Sequence, residues 1–454
     1  MNPATLTTIA QWAGGKLLQG PAETLVTNVC TDSRTLAAGD LFVALRGDNF
    51  NGNAFISEAQ KRGAAGAILE EVPGDLPPGF GVIEVKDALA ALQALSGRYR
   101  QTLGMKVIAI TGSNGKTSTK DIAAAVLGER YRIIKTEGNL NNHIGLPLML
   151  LRATSAHEIG VFEIGMSHPG EIEPLVKLCS PLAGIITNIG IAHIEFMGSR
   201  EAIAEEKGKL AEGLPADGVL VLSAGDSFST SLAKRTRAKT ICAGIGRGDI
   251  HARDLRASRE GTRFILENGT GSTEAFLPVP GDHMVENALL AIAAGRFFGV
   301  SLEEAAAGLK KARLTKGRLE QKTIRGIHFI DDTYNANPDS VVAALKTLCS
   351  VPAGRRIAVL GRMNELGAEF ERGHRLVGEA AALQRIDCVV AVGEGAWLIS
   401  DSAREHGVAQ AVHAASVEEA GDVLRGIARE GDAVLVKGSR SLRMERIVEA
   451  MSRP

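Results

Sequence analysis

Short apolar runs alternate with longer amphipathic segments along most of the chain, and this alternation predicts the fold class. An apolar run of roughly four to eight residues is typical of a buried strand, whereas apolar residues three and four positions apart are typical of a helix. Alternation of the two predicts an α/β protein with mostly parallel sheets. The predicted strands are 41–45, 67–69, 82–85, 107–110, 159–164, 183–189, 218–222, 357–360, 388–392 and 433–436. The predicted helices are 54–62, 86–100, 121–127, a segment from about 200, and a segment from 281.

The 454 residues are too many for one compact core, so size alone predicts roughly two to four domains. The order of the predicted elements divides the chain into three, at 1–100, 101–314 and 315–454. Residues 101–106 form a predicted linker before the second domain. Ligands of parallel sheets collect at the carboxyl ends of the strands, so polar residues that follow a strand are the first site candidates.

Composition and charge exclude several classes of protein. Hydrophobic residues make up 45% of the chain and charged residues 23%, as in ordinary soluble proteins. The formal net charge is −1, so we expect no nucleic-acid partner and no attraction to a membrane surface. We expect neither a signal peptide in residues 1–11 nor a membrane span, which needs roughly 18 consecutive apolar residues. The five cysteines include no C-x-x-C pair, which favours reduced thiols in the cytoplasm.

The strongest functional signal lies between Val107 and Lys120. A buried strand leads into the sequence T-G-S-N-G-K-T at 111–117, and a helix follows. A glycine loop in this position presents backbone N–H groups and the positive end of the helix dipole to phosphate. Lys116 can reach a terminal phosphate and Thr117 can coordinate Mg²⁺. Ile110 stands where the general pattern has its first glycine, so a turn that needs glycine only for its backbone conformation is the alternative.

Polar residues also follow two other predicted strands. Glu163 ends one strand, and its carboxylate suits Mg²⁺, with a capped or solvated strand end as the alternative. His193 follows the next strand as a metal ligand, an orienting donor or, as is commoner for a lone histidine, a structural residue. The loop 136–145 contains three asparagines and a histidine, which suit either substrate binding or ordinary turn chemistry.

Alternatives also stay open at four more positions. Ser33 and Arg34 suit a phosphate or a uracil carbonyl, or else an exposed turn with a salt-bridged arginine. Asn287, in a predicted helix, suits an adenine edge or is a surface amide. Lys207 lies in a charged helical segment, where solvated lysines in salt bridges are the rule.

The order of these motifs resembles that of the Mur ligase family. The family's ATP loop, T-G-[ST]-x-G-K-[ST], matches 111–117 and accounts for the displaced glycine. Other family motifs match 136–147, 163–172, 187–193, 331–338 and 436–440, so the resemblance extends from Asp32 to about Arg446. The segment D-D-T-Y-N-A-N-P at 331–338 is most similar to the branch that adds D-alanyl-D-alanine, and the sequence lacks the D-N-P-R motif of another branch.

The resemblance implies a fold and an activity. The fold has an N-terminal UDP-substrate-binding α/β domain, a central P-loop ATPase-like domain with a mostly parallel sheet, and a C-terminal Rossmann-like domain. The activity is an ATP- and Mg²⁺-dependent ligation in which the carboxylate of UDP-MurNAc-tripeptide (UDP-N-acetylmuramoyl-tripeptide) is phosphorylated and then attacked by the amine of D-alanyl-D-alanine. The products are UDP-MurNAc-pentapeptide, ADP and phosphate, in cytoplasmic peptidoglycan precursor synthesis. These small molecules are the expected partners of a monomer.

The resemblance also implies roles for individual residues. The ATP-binding residues are Thr111, Gly112, Ser113, Asn114, Gly115, Lys116, Thr117 and Ser118, with Asn287 at adenine, Arg318 at phosphate and Asp332 at ribose. The Mg²⁺ ligands are Thr117 and Glu163 for one ion, and His193 and Lys207 for a second, the lysine carbamylated by CO₂. The substrate-binding residues are Ser33, Arg34, Asn142, His143, Asn335 and Asn337. Lys116, His193 and Lys207 are the implied catalytic residues.

Two positions depart from the family pattern, and two other functions stay open. Lys209 stands where the family usually has an acid, and Arg362 replaces the aspartate of L-G-D-M-x-E-L-G. One alternative is another amide ligase of the same fold, such as a folylpolyglutamate synthase-like enzyme, which a substrate panel would separate. The other is a nucleotide-hydrolysing regulatory switch. Guanine-specific switches usually carry N-K-x-D, which this sequence lacks, and comparing ATP with GTP binding tests that alternative.

Overall fold

The computed structural model describes residues 1–47, 50–74, 76–77 and 79–452. Strands and helices alternate through these ranges, as the sequence predicts for an α/β protein. The described residues form two compact units. The first contains 1–109, 131–166 and 171–182, and the second contains 110–130, 167–170 and the chain from Ala183 onward. The domain limits at 100 and 314 stay predictions.

The strands follow one another through both units. They are Ala4–Thr5 (β1), Lys16–Gln19 (β2), Leu25–Val26 (β3), Val29–Cys30 (β4), Leu41–Val43 (β5), Arg46–Gly47 (β6), Phe50–Asn51 (β7), Gly66–Leu69 (β8), Gly81–Glu84 (β9), Lys106–Thr111 (β10), Ile133–Lys135 (β11), Ile159–Glu163 (β12), Ala183–Ile186 (β13), Val219–Ser223 (β14), Lys239–Ile245 (β15), Arg247–Gly248 (β16), Ile250–Ser258 (β17), Gly261–Glu267 (β18), Ser272–Leu277 (β19), Glu320–Ile324 (β20), Ile327–Asp332 (β21), Arg356–Gly361 (β22), Cys388–Val392 (β23), Gln410–Ala414 (β24) and Ala433–Lys437 (β25).

The α-helices lie between these strands. They are Leu6–Ala13 (α1), Ile56–Lys61 (α2), Ala88–Thr102 (α3), Lys116–Leu127 (α4), Gly145–Arg152 (α5), Ile172–Cys179 (α6), Ile194–Met197 (α7), Arg200–Glu212 (α8), Ser229–Ala233 (α9), Asp282–Phe297 (α10), Leu302–Lys310 (α11), Pro338–Ser350 (α12), Phe370–Leu383 (α13), Trp397–Glu405 (α14), Val417–Ile427 (α15) and Glu445–Ser452 (α16). Among the described residues, no helix combines the length and the apolar character that crossing a bilayer requires.

The first unit contains a sheet of order β2-β9-β8-β5-β4. Strands β4, β5, β8 and β9 are parallel, whereas β2 pairs with β9 antiparallel. Side chains of this sheet and of α2 form a buried apolar cluster that includes Phe42, Ile56, Ala67 and Val82. In the same unit β11 pairs with β12 in parallel, and β12 ends at Glu163.

The first part of the second unit contains both parallel and antiparallel strands. Strands β13, β14, β15 and β17 are parallel neighbours in that order, and β18 and β19 continue the sheet antiparallel. The hydrophobic pattern predicts no strand between residues 239 and 277. Arg253, Arg256 and Arg263 are exposed on β17 and β18, so no continuous apolar run marks these half-solvated strands.

The C-terminal part of the second unit is a sheet of order β20-β21-β25-β22-β23-β24. Only the β20–β21 pair is antiparallel in this sheet, as far as the described residues show. Its buried core includes Phe329, Val359, Val390 and Val434. The carboxyl ends of β21, β22 and β25 lie side by side, and the loops that follow them carry the residues of the candidate site.

One strand boundary differs from its prediction for a reason that concerns the site. The predicted strand 183–189 ends at Ile186. Thr187 Oγ1 and Asn188 Nδ2 both donate hydrogen bonds to the carbonyl of Asn114, in the glycine loop. The side chains that follow β13 therefore bind the glycine loop, and the strand ends at Ile186, before these residues.

Candidate functional site

The glycine loop between β10 and α4 adopts a conformation that its two glycines make possible. Gly112 has φ +145° and Gly115 has φ +80°, values that side-chain-bearing residues rarely adopt. A Cβ atom on Gly112 would overlap the Thr187 hydroxyl, and one on Gly115 would overlap the Asn287 side-chain amide. Both positions therefore require glycine, because of their φ angles and because of close packing. A turn that needs glycine for its conformation is thus present, and it is compatible with a phosphate-binding loop.

Hydrogen bonds from the segment after β13 hold the loop in place. The Ser113 amide donates to the Asn188 carbonyl (2.9 Å), and the Asn114 amide donates to Asn188 Oδ1 (2.9 Å). The Gly190 amide donates to Ser113 Oγ (2.9 Å). Ser113 is buried, so these bonds are shielded from water. The loop is thus preorganised by its neighbours within the second unit.

The start of α4 has the properties of an anion site. Gly115, at the N-cap position of this helix, has no side chain with which to cap it. The Lys116 ammonium donates to the Gly112 carbonyl (2.8 Å), and the Thr117 hydroxyl accepts from Arg318 Nη2 (3.3 Å). The Arg318 guanidinium lies 4.1 Å from the centre of the Tyr334 ring, which orients it. Two cationic side chains and a helix dipole therefore converge at one position.

Lys207 is buried, and the solvated-lysine alternative for this position is wrong. The residue lies on α8 with 1% of its surface exposed. Burial lowers the pKa of Lys207 well below its ordinary value, and the nearby charge of Lys116 lowers it further. The adjacent Glu206 opposes this effect and also accepts a hydrogen bond from the Gly170 amide (2.9 Å). A lowered pKa increases the neutral amine, the form that reacts with CO₂.

His193 contacts a carboxylate that the sequence did not assign. His193 Nδ1 lies 2.6 Å from Glu365 Oε2. Both residues have positive φ, +63° for His193 and +60° for Glu365, which is uncommon for residues with side chains. The contact with His193 lowers the pKa of Glu365, and the positive charges of His168 and Lys116 add to this effect. Strained backbone on both sides of one contact favours a functional pair over a chance surface contact.

Asp332 and Asn335 are both held by a buried lysine. Lys437 Nζ lies 2.6 Å from Asp332 Oδ2 and donates to the Asn335 carbonyl (2.9 Å). Lys437 has 2% of its surface exposed and Asp332 has 8%. Burial lowers the pKa of Lys437, whereas Asp332 raises it. Lys437 therefore neutralises one Asp332 oxygen, and the Leu319 amide donates to the other (3.3 Å).

Asn337 contacts the glycine loop directly. Its Nδ2 donates to Asn114 Oδ1 (2.7 Å), while its Oδ1 accepts from the Ser340 amide (3.0 Å) and caps α12. Next to it, Asp339 Oδ2 accepts from the Ile191 amide (3.2 Å). Asn335, in contrast, is exposed. The segment after β21 is thus attached to the loop through Asn337 but not through Asn335.

Asn287 lies under the glycine loop and is not a surface amide. It is 6% exposed and its side chain packs against Gly115. Its Nδ2 also lies 3.7 Å from the sulfur of Met284. The predicted contact with adenine stays a prediction.

The predicted substrate residues of the first unit already have protein partners. Ser33 Oγ donates to Glu58 Oε2 (2.8 Å), and Arg34 donates to both carboxylate oxygens of Asp32 (2.9 and 2.7 Å). The Arg34 contact lowers the pKa of Asp32 to about 2, and the arginine side chain is 82% exposed. The salt-bridged turn is therefore present, and the substrate role stays a prediction.

One asparagine of the loop before α5 accepts hydrogen bonds from the backbone that leads into the helix. Asn142 Oδ1 accepts from the Gly145 amide (2.9 Å), and His143 is exposed. The neighbouring Asn141 was not predicted as a site residue, yet its Nδ2 donates to Glu163 Oε1 (2.8 Å). Glu163 is 3% exposed, so the solvated strand end is wrong. Its role as a metal ligand stays a prediction.

Comparison of the chain with known protein families gives matches to three models of one family. They are the "Mur ligase family, catalytic domain" over residues 25–100, the "Mur ligase middle domain" over 110–295 and the "Mur ligase, glutamate ligase domain" over 317–440. A protein of Bacillus subtilis (strain 168), named UDP-N-acetylmuramoyl-tripeptide--D-alanyl-D-alanine ligase, is 41% identical over 99% of this chain and 98% of its own. The chain belongs to the Mur ligase family.

Two solved Mur ligase structures are similar to this one. MurF from Acinetobacter baumannii is 32% identical with a TM-score of 0.91, and the alignment covers 100% of both chains. MurF ligase from Thermotoga maritima, solved in complex with ADP, is 27% identical with a TM-score of 0.83, over 94% of this chain and 97% of that chain. The predicted three-domain α/β fold of the Mur ligases is confirmed.

The two departures from the Mur ligase motifs both form partly exposed ion pairs. Arg362 lies 3.5 Å from Glu394, and its guanidinium lies 5.4 Å from the centre of the Phe370 ring. Lys209 lies 3.0 Å from Glu212 on the same helix. Exposed pairs of this kind have small energetic effects. We therefore expect both departures to be tolerated without a change in the site.

Several residues of the site could have been found from the motifs alone. Asn188 and Lys437 lie inside motifs that carry the resemblance to the Mur ligases, and Glu365 lies inside the segment that departs from L-G-D-M-x-E-L-G, but none of the three has a predicted role. Each of them supports a predicted residue: Asn188 supports Asn114, Glu365 contacts His193, and Lys437 contacts Asp332. Their position inside a family motif was the sequence feature from which a role in the site could have been predicted.

Proposed function

We propose that this chain is an ATP-dependent C–N ligase that joins D-alanyl-D-alanine to UDP-MurNAc-tripeptide. The 41% identity to the Bacillus subtilis ligase over nearly the whole of both chains supports the substrate pair. The observation that carries the proposal is the contact of Asn337, in the D-D-T-Y-N-A-N-P segment, with Asn114 of the phosphate loop (2.7 Å). It joins the segment typical of the D-alanyl-D-alanine branch to the part of the molecule suited to ATP.

The reaction proceeds in two steps whose atoms balance. A carboxylate oxygen of the tripeptide attacks the γ-phosphorus of ATP, forming a C–O–P bond and releasing ADP. The amine of D-alanyl-D-alanine then attacks the acyl carbon, and phosphate leaves with the former carboxylate oxygen. The neutral amine loses one proton, which passes to the released phosphate or to water, as the amide bond forms. Lys116, Arg318 and the start of α4 stabilise the negative charge on the transferring phosphoryl group, which otherwise repels the attacking carboxylate.

The residues of the second unit fit a site for Mg²⁺ that is completed by the nucleotide. Among the described residues, no group of three or more His, Cys, Asp or Glu side chains is arranged to hold a metal ion. Mg²⁺ commonly binds through one or two protein oxygens together with substrate phosphates. Of the two ions expected, the buried Thr117 hydroxyl would help to hold one, and His193 and a carbamate on Lys207 would hold the other. When bound, the ion supplies positive charge that draws electron density from the phosphates.

We also propose three domains, at 1–100, 101–314 and 315–454, and a cytoplasmic monomer that acts on small molecules. The third domain, 315–454, is supported by the sheet in which the segments after β21, β22 and β25 lie at one edge. Sedimentation of the purified protein tests the monomer.

A phosphate-release assay tests the proposed function. With ATP, Mg²⁺ and UDP-MurNAc-tripeptide, we expect phosphate release only when D-alanyl-D-alanine is added, together with formation of the pentapeptide product by mass spectrometry. L-alanyl-L-alanine is the matched control and should support little release. Release that does not depend on the dipeptide would count against the proposal, and glutamate-dependent release would favour a folylpolyglutamate synthase-like activity.

A further inference from the structure

Glu365 is a carboxylate that contacts His193 and lies within electrostatic range of Lys116, in the phosphate loop. Its Oε2 lies 2.6 Å from His193 Nδ1. His168 and Lys116 are close enough to act on it electrostatically. Lys116 belongs to the loop suited to the γ-phosphate of ATP, so the Glu365 carboxylate lies within electrostatic range of that loop.

The backbone holds Glu365 in one place. On its N-terminal side, the Met363 amide donates to His374 Nε2 (3.0 Å) and the Asn364 amide donates to Ser439 Oγ (2.9 Å). The Glu365 carbonyl accepts from the Glu195 amide (3.3 Å). These contacts maintain φ at +60°, which costs backbone energy and is typical of functional positions. The carboxylate position is therefore not a consequence of a flexible loop.

The carboxylate is also accessible. The Glu365 side chain is 42% exposed, whereas the side chain of His193 is 19% exposed. One oxygen contacts the histidine, and the exposed part of the group is available to a ligand. A buried structural ion pair would have both partners removed from solvent.

Electrostatics limits which ligand suits this position. A carboxylate near bound phosphates raises their energy through like-charge repulsion, unless a cation comes between them. The reaction brings such a cation, because D-alanyl-D-alanine arrives with a protonated amine. That nitrogen must also come next to the acyl phosphate, which forms beside the transferring phosphoryl group. An acid at this position therefore attracts the nucleophile to the place where it reacts.

The geometry points to Glu365 as the group that binds the ammonium of the incoming dipeptide beside the acyl phosphate, where the nitrogen attacks after the ammonium has released one proton to water. The inference rests on the proposed function and adds a specificity residue to it. The end of β25 fixes the segment that carries Glu365. It contacts the segment after β22, because Ser439 Oγ accepts from the Asn364 amide, and the segment after β21, because Lys437 donates to the Asn335 carbonyl. The dipeptide would thus meet two loops fixed to one strand.

The variant Glu365→Gln separates charge from shape. Glutamine keeps an oxygen next to His193 Nδ1 and loses only the charge. A hydrogen bond to a charged group is stronger than a neutral one, so we expect the KM for D-alanyl-D-alanine to rise about 10- to 100-fold. We expect the KM values for ATP and UDP-MurNAc-tripeptide to stay within about 2-fold of the wild type. The matched control is Glu394→Gln, an acid with 93% of its side chain exposed that lies 3.5 Å from Arg362, and it should leave all three values unchanged.

Hydroxylamine, an amine that is uncharged at neutral pH, provides the second readout. It traps an acyl phosphate as a hydroxamate without needing an ammonium site. We expect Glu365→Gln to form hydroxamate at the wild-type rate while dipeptide ligation falls. Loss of both reactions would overturn the inference and assign Glu365 to His193 or to Mg²⁺ instead, as would an unchanged KM for the dipeptide. If the wild type formed neither product, the proposed function itself would fail.

Discussion

The glycine loop of the second unit and the Ser33–Arg34 turn of the first unit both suit anions, but they are built from different groups. The loop uses backbone N–H groups and the start of α4, with glycines at φ +145° and +80°. The turn uses side chains, and these already contact Asp32 and Glu58. A backbone site is formed before its ligand arrives, whereas a side-chain site of this kind must exchange partners when a ligand binds.

The difference explains why the two regions are not equally readable from sequence. Seven consecutive residues mark the glycine loop, so its sequence predicts where the loop lies and which conformation it adopts, and contacts such as that of Asn188 with Asn114 then hold it. The partner of Ser33 is 25 residues away, at Glu58, and only the folded chain brings them together. Substitutions in the loop should therefore affect the reaction, and those in the turn should affect binding of a single substrate.

Lys116→Ala should have the largest effect of the substitutions considered. It removes the ammonium that stabilises the transferring phosphoryl group in the proposed mechanism, so we expect kcat to fall about 10³-fold or more. Dipeptide-dependent phosphate release measures this. Lys106→Ala, at the exposed start of β10, is the control and should retain activity. Full activity of Lys116→Ala would refute the phosphate role of the loop.

Lys207→Ala tests the buried amine beside the loop. We expect kcat to fall about 10²-fold, because the proposed carbamate oxygens are lost, and short carboxylic acids to restore part of it. Activity measured with and without added acetate gives the result. Lys209→Ala is matched, since this lysine lies on the same helix in a partly exposed ion pair. Equal, small losses in both variants would return Lys207 to a purely structural role.

Asn337→Ala tests the connection between the segment after β21 and the loop. Losing one hydrogen bond to Asn114 should raise the KM for ATP about 3- to 10-fold, with a smaller change in the KM for the dipeptide. Asn335→Ala should show the opposite preference, because that exposed residue does not share the contact with the loop. Identical changes in the two variants would contradict the distinction drawn between these asparagines.

Arg34→Gln should have the smallest effect. The predicted substrate role gives a rise of roughly 3-fold in the KM for UDP-MurNAc-tripeptide, with no change for ATP. The thermal unfolding midpoint should not move measurably, because the Asp32–Arg34 pair is exposed. An unchanged KM for every substrate would leave the turn as a salt bridge alone.

Much of the fold and part of the site were predictable from sequence. Buried strands such as β12 and β23 can be predicted from their continuous apolar runs. Strands β17 and β18 lack such runs, because one face of each is solvated. Lys207 was readable only through the family motif, since its charged neighbours resemble a surface helix while packing buries it. Glu365 depends on a contact between residues 193 and 365, and no local pattern predicts a pair so far apart.

Isotope transfer is the most direct measurement of the central claim, that the glycine loop brings the γ-phosphate of ATP to a peptide carboxylate. UDP-MurNAc-tripeptide labelled with ¹⁸O in its terminal carboxylate is ligated to D-alanyl-D-alanine, and the released phosphate is examined by mass spectrometry. The acyl phosphate route predicts one ¹⁸O atom in each phosphate, because the former carboxylate oxygen leaves with it. Unlabelled phosphate from a reaction that still forms the pentapeptide would contradict the account.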